Sequence, residues 1–208
     1  MNRGLALFDF DGTITRKDTL LDFMMYVKGR PAALIVFIKL LPAVMSFKFK
    51  KLSNQVFKER FLTLAFAGYD EKTLWALGCE YARLRIPKLI RAGAMERLDW
   101  HRRQKHRIVI VSASADVWLA EWCREQKLEL ICSALNFSEG IFTGRLKGRN
   151  CRGAEKVRRI KESINTSEYN VIYAYGDSSG DTEMLEFADK PFFRPFHPGN
   201  ADIIKTED

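Results

Sequence analysis

Disulfide and zinc-finger chemistry have little to work with in this sequence. Its four cysteines, Cys79, Cys123, Cys132 and Cys151, form no Cys-x-x-Cys pair and stand beside no histidine at metal-knuckle spacing. They are expected to be reduced thiols, mostly buried. No internal repeat or low-complexity tract breaks the 208 residues, and a content of 47% hydrophobic and 12% aromatic residues excludes disorder as the default. An uncharged signal-peptide core is missing, because Gly4-Leu5-Ala6-Leu7-Phe8 runs straight into Asp9 and Asp11. A cytoplasmic location is the expectation. Familiar catalytic signatures are missing too. Gly148 and Gly153 have P-loop spacing, but Ala154-Glu155 follows where Lys-Ser or Lys-Thr is needed. No Gly-x-Ser-x-Gly turn occurs, and His101, His106 and His197 have no strand-end context.

A long uncharged apolar run is also lacking. Residues 31–47 (PAALIVFIKLLPAVMSF) come closest, but Lys39 and Pro42 interrupt them, and each uncharged stretch falls short of the roughly 18 residues of a membrane span. Lys28, Arg30, Lys48, Lys50 and Lys51 flank the segment. It predicts either a buried or homodimer-forming helix pair, or a peripheral contact at the inner face of a membrane with lysines at the head groups. The net charge of +8 has its clearest cluster at His101–Arg107, read as a solvated helix end; no nucleic-acid partner is expected.

What is present is a set of short apolar runs ending in polar loops: Leu5–Phe10, Ile108–Val111, Leu130–Cys132, Val171–Tyr175 and Pro191–Arg194. Each reads as a strand buried on both faces. Helical patterns at Val117–Gln126, Ala154–Ser163 and Asp181–Ala188 alternate with them, which predicts an α/β fold with a doubly wound parallel, Rossmann-like sheet. Between the first two strands lie nearly 100 residues with almost no strand pattern, too long for a simple crossover. Helices are expected from Asp18-Thr19 to Lys28 and over Asn54–Ala67, Asp70–Arg85 and Lys88–Arg103. Residues 15–87 are therefore read as a helical cap domain inserted into a core of 1–14 and 88–208. Ala134–Phe137 and Ile141–Leu146, joined by Ser138-Glu139-Gly140, predict a hairpin.

The strand ends carry the polar chemistry. Asp9 and Asp11 close the first strand, spaced to leave the same face, and Gly12 permits a sharp turn. The second strand ends in Ser112-Ala113-Ser114, and the fourth in Gly176-Asp177-Ser178-Ser179-Gly180-Asp181. Lys156 opens the intervening helix. In a parallel sheet these groups meet at the carboxyl edge, where ligands bind.

In order, Asp9-Phe10-Asp11-Gly12-Thr13, Ser112, Lys156 and Gly176-Asp177 with Asp181 resemble the four motifs of the haloacid dehalogenase superfamily. The insertion resembles the cap of its phosphoserine-phosphatase-like subclass. Residues 149–157 and the apolar segment are similar to phosphatidylglycerophosphatase C, a lipid-phosphate phosphatase. The resemblance implies a magnesium-dependent phosphomonoester hydrolase acting on a small-molecule or lipid phosphate. Asp9 would be the nucleophile and Asp11 the acid and base. Lys156, Ser112, Ala113 and Gly12 would hold the phosphate. Mg2+ would sit on Asp9, the Asp11 carbonyl and Asp177, with Asp181 orienting its waters or Lys156. In the fourth motif Gly180 stands where many relatives have Asn, and Asp18 reads as a helix cap. A phosphomutase, or a non-catalytic phosphate-binding or membrane-surface module on the same fold, stays open.

Overall fold

A computed structural model describes residues 3–49 and 51–200. The apolar runs form strands β1 (Gly4–Phe8), β2 (Arg107–Ala115), β3 (Glu129–Ser133), β6 (Val171–Gly176) and β7 (Lys190–Phe193), all parallel, in the order β3-β2-β1-β6-β7. β4 (Leu135–Ser138) and β5 (Ile141–Leu146) make the expected hairpin as a separate antiparallel pair. All five residues of β1 are buried, as a central strand covered on both faces requires. Alternation divides them: Leu5 and Leu7 join Val109, Val111, Ala174, Ile160 and Met184, whereas Ala6 and Phe8 join the larger core on the opposite face.

Helices α6 (Asp116–Glu125), α7 (Ala154–Ser163) and α8 (Thr182–Phe187) follow their strands. Between β1 and β2 come α1 (Thr19–Lys48), α2 (Asn54–Phe66), α3 (Glu71–Leu84), α4 (Ile86–Leu89) and α5 (Ala92–Arg103). Their apolar faces are not a separate core. Phe23, Leu62 and Leu74 belong to the same buried cluster as Ala6, Phe8 and Ile110. Gly78 of α3 lies directly on the main chain of α6: a Cβ there would overlap the Val117 carbonyl.

Four elements depart from the sequence reading by more than one residue. β1 stops at Phe8 rather than Phe10, because Phe10–Ile14 coil into a wide turn in which Gly12 takes φ of 79°. β2 runs on past Val111 to Ala115 through an irregularity between Ser112 and Ala115. The helix expected over Lys88–Arg103 is split, since Ile90 pairs with Thr15 and interrupts it. α1 does not end at Lys28 but resumes after a break at Gly29 (φ 72°, ψ 165°) and carries the whole 31–47 segment. Pro31 fits the first turn after that break, where a missing N–H loses no helical bond.

Candidate active site

The wide turn after β1 places Asp9, Asp11 and Gly12 against the ends of β2 and β6. A cavity of about 370 Å³ there is lined by Asp9, Asp11, Gly12, Ser112, Ala113, Lys156, Asp177 and Asp181, together with Arg16, Asp18 and Arg152. Every site residue expected from the sequence lies on it.

Lys156 is the hinge of the arrangement. It opens α7, and its side chain is buried, with Nζ donating to Asp9 Oδ1 at 2.6 Å, Asp181 Oδ1 at 2.7 Å and the Val111 carbonyl at 2.6 Å. Burial opposes its charge, yet the carboxylates of Asp9 and Asp181 hold its pKa above the usual lysine value. Asp181 starts α8 without capping it. Its Oδ2 instead accepts from the amides of Asp177 and Ser178 and from the Ser178 hydroxyl. Burial pushes Asp181 up, but Lys156 and these donors outweigh it and leave the group below its ordinary value.

Asp9 and Asp11 do not share partners. Asp11 Oδ1 accepts from the Thr19 amide at 2.7 Å and Oδ2 from the Ser114 hydroxyl. Burial, then the charge of Asp18, pushes Asp11 up to about 6. Asp18 itself caps α1, accepting from Leu21 N at 3.0 Å. Asp9 Oδ2 faces the Thr13 hydroxyl at 3.3 Å, which also lies 3.4 Å from Asp177 Oδ1. Burial raises Asp9 to about 7, with Lys156 opposing, and Asp177 is likewise raised, by burial and by Asp181.

The donor set fits a divalent cation. Carboxylate oxygens of Asp9, Asp177 and Asp181 lie within 4.8 Å of one another, and a single ammonium cannot balance the charge of the ionised set. Gly12 makes the cluster possible, because a Cβ there would overlap the Asp177 carboxylate. Both Asp181 oxygens are engaged, the Asp11 carboxylate is turned to Thr19 and Ser114, and Lys156 takes Asp9 Oδ1; the carboxylate oxygens held least among the described residues are Asp9 Oδ2 and those of Asp177, which meet the Thr13 hydroxyl only at 3.3 and 3.4 Å.

A sequence model of the haloacid dehalogenase-like hydrolases matches residues 6–186, which span all of these groups. The chain belongs to that family. Among relatives of this haloacid dehalogenase-like hydrolase, Protein CicA of Caulobacter vibrioides (strain NA1000 / CB15N) is 34% identical over 197 residues, covering 92% of this chain and 86% of CicA. A Bordetella pertussis Tohama I protein of unknown function superposes with a TM-score of 0.78 at 24% identity, over 99% of this chain and 96% of that one. A phosphoserine phosphatase solved as a phospho-aspartyl intermediate analogue gives a TM-score of 0.65 at 17% identity, over 90% and 84% respectively. The fold is thus that of the phosphoserine-phosphatase-like subclass.

The hydrolase site also contains groups that sequence reasoning missed. Lys58 of α2 reaches across to donate to the Ala113 carbonyl and, at 2.9 Å, to Asn150 Oδ1; burial pushes its ammonium down to about 8. His197, assigned no strand-end context from the sequence, places Nε2 3.0 Å from the Gly12 carbonyl oxygen, and Arg194 Nε donates to the Asp177 carbonyl at 3.0 Å. Neither contact has a local signal. The one available hint for Thr13 was its place in the first motif, two residues after Asp11.

Proposed function

We propose that this chain is a magnesium-dependent phosphatase that hydrolyses a phosphomonoester, of a small molecule or a lipid head group, through a phosphoaspartate on Asp9. The observation that carries this reading is the division of labour between two neighbouring carboxylates. Asp9 is ion-paired to buried Lys156 at 2.6 Å, while Asp11 is held apart by Thr19 and Ser114. One is oriented as a nucleophile and the other is tuned to carry a proton. Helices of residues 15–87 are the cap in this reading, with Thr19 and Lys58 reaching from it into the site.

The reaction follows from the groups present. Ser112 Oγ accepts from Ser114 N at 3.0 Å, which leaves the Ser112 proton to donate to a phosphate oxygen, and Lys156 balances charge on the transferring group. An Asp9 oxygen bonds to phosphorus as the ester P–O bond breaks, and the Asp11 proton passes to the departing alkoxide. A pKa near 6 keeps a useful protonated fraction on Asp11 at neutral pH. Ionised Asp11 then takes a proton from water attacking phosphorus, and the bond from Asp9 breaks to release inorganic phosphate. Asp9, Asp177 and the Asp11 carbonyl would hold magnesium, which when bound supplies positive charge that lets an anionic nucleophile meet an anionic phosphate. Asp181 fixes Lys156 and the Asp177 loop rather than reacting.

The test is acid quenching during turnover of an aryl phosphate, followed by mass analysis of the peptide containing Asp9. A phosphoryl adduct should appear there, and turnover should vanish on chelation and return with magnesium. Asp9→Asn should lose both adduct and turnover while remaining folded. Hydrolysis by that variant near the parent rate overturns the covalent mechanism.

A further inference from the structure

Residues 30–48, the part of α1 beyond Gly29, carry apolar side chains on opposite sides of the helix, and among the described residues one of those sides is packed against protein. Ala33, Val36, Leu40 and Ala43 are buried in the core shared with α2. Leu34, Ile38, Leu41 and Met45 recur at helical spacing on the other side and are 52–60% exposed, with Ile35, Phe37 and Phe49 beside them. The most apolar 18-residue window of the helix has a mean hydropathy of 1.7 and is only 22% buried. Exposed apolar patches of this continuity mark a surface that is covered in use.

The charges say by what. Between Phe23 and Lys58 every ionisable carboxylate is missing, whereas Lys28, Arg30, Lys39, Lys48, Lys50, Lys51 and Lys58 are all present. Arg30 and Lys48 bracket the exposed stripe and Lys39 stands at its edge, all exposed. A second copy docked by a two-fold axis would bring these basic rims together with no acid to answer them. Phosphate head groups answer them directly, and long basic side chains can reach head groups while their stems stay on apolar surface. Spanning a bilayer is excluded by the opposite face: α2, packed along it, carries Lys58, Glu59 and Arg60.

We propose that residues 30–48 lie in the plane of an anionic bilayer surface, with Leu34, Ile38, Leu41 and Met45 inserted at the acyl boundary. The link to the site runs through α2, on which residues 30–48 pack: its Phe57 and Phe61, with Asp18, Leu20 and Leu21 from before the Gly29 break, line a second cavity of about 250 Å³ beside Asp11, whose carboxylate accepts from the Thr19 amide. Docking therefore fixes the catalytic cavity relative to the bilayer. The inference does not depend on the reaction, since binding is read without turnover.

The experiment is co-sedimentation of the full chain with vesicles of phosphatidylglycerol and phosphatidylcholine, or of phosphatidylcholine alone, over a salt series. Binding is expected to the anionic vesicles and to weaken as salt rises. Ile38→Asp combined with Leu41→Asp should reduce it by more than about tenfold while leaving the melting temperature and aryl-phosphate turnover near parent values. Lys39→Glu with Lys48→Glu, which keeps the apolar stripe, should remove the preference for anionic vesicles. No binding at low salt, binding that both pairs leave unchanged, or a concentration-dependent dimer in gel filtration that Ile38→Asp/Leu41→Asp splits would each overturn the proposal.

Discussion

Asp11 sits in a chain of hydroxyls whose direction is set by its charge. The Trp118 indole donates to Thr19 Oγ1 at 3.1 Å, the Thr19 and Ser114 hydroxyls are 3.1 Å apart, and Ser114 donates to Asp11 Oδ2. Asn at position 11 would keep Oδ1 for the Thr19 amide, and its amide nitrogen could donate to a Ser114 hydroxyl turned the other way. Asp11→Asn should therefore fold normally and still release a good aryl leaving group, but lose about 10²- to 10⁴-fold in turnover of alkyl phosphates, whose alkoxide needs a proton. The burst of leaving alcohol in the first turnover, before hydrolysis of the phosphoaspartate limits the rate, checks this on one aryl and one alkyl ester; equal losses in that burst would remove Asp11 as the acid. The residues of this centre were legible because each of Asp9, Asp11, Ser112, Lys156, Asp177 and Asp181 lies at a strand end or helix start, positions that a parallel sheet brings together. Lys58 and His197 were not, because their proximity to Ala113 and Gly12 is created by tertiary packing across 55 and 185 residues.

At the level of elements, strands and helix starts were readable from composition, but their terminations depended on partners. The split of α4 from α5 follows from Ile90 pairing with Thr15, and the length of α1 from what packs beside it, neither of which a local pattern encodes. Gly78 shows how tertiary packing reverses a local rule. In a helix, glycine costs about 1 kcal/mol relative to alanine, so Gly78→Ala considered within α3 alone should stabilise. The added methyl would instead strike the Val117 carbonyl, main-chain atoms that cannot swing aside. Overpacking of this kind costs about 1–3 kcal/mol, so the net effect is expected to be a destabilised protein with α3 pushed from α6. Urea unfolding of Gly78→Ala is the check, and a gain in stability would show that the two helices separate freely. The Arg83–Glu121 ion pair joins the same two helices, with Arg83 largely exposed and a correspondingly small contribution.

Over the whole molecule, one buried polar chain ties α5 to the sheet. Arg97 Nε can only donate, so the Tyr175 hydroxyl accepts from it at 2.7 Å and offers its own proton to His101 Nε2 at 2.9 Å; His101 Nδ1–H then faces His106 Nδ1 at 2.8 Å. This polarity requires neutral His101. Burial, then Arg97 and His106, pushes its pKa down to about 2, far below the unfolded value near 6.5. The unfolded chain therefore binds the extra proton as pH falls below about 6.5, and native stability should decline by up to about 1.4 kcal/mol per unit of pH from this group. His101→Gln, which retains an acceptor for Tyr175, should flatten the stability profile between pH 7 and 5 in urea melts. An unchanged slope would place the acid sensitivity elsewhere.

β1 occupies the centre of the sheet, yet Leu5 pairs with Arg107 on one side and with Ile172 on the other. During synthesis the strand bearing Asp9 leaves the ribosome with neither neighbour made, and the apolar helix of residues 30–48 emerges long before the sheet can form. Such non-local pairing makes folding slow and leaves the nascent chain exposed. The carboxyl edge that carries the site is complete only once the chain has been translated past β6 to Asp181, so a chain arrested before Val171 would carry Asp9 at the end of a strand with an open flank.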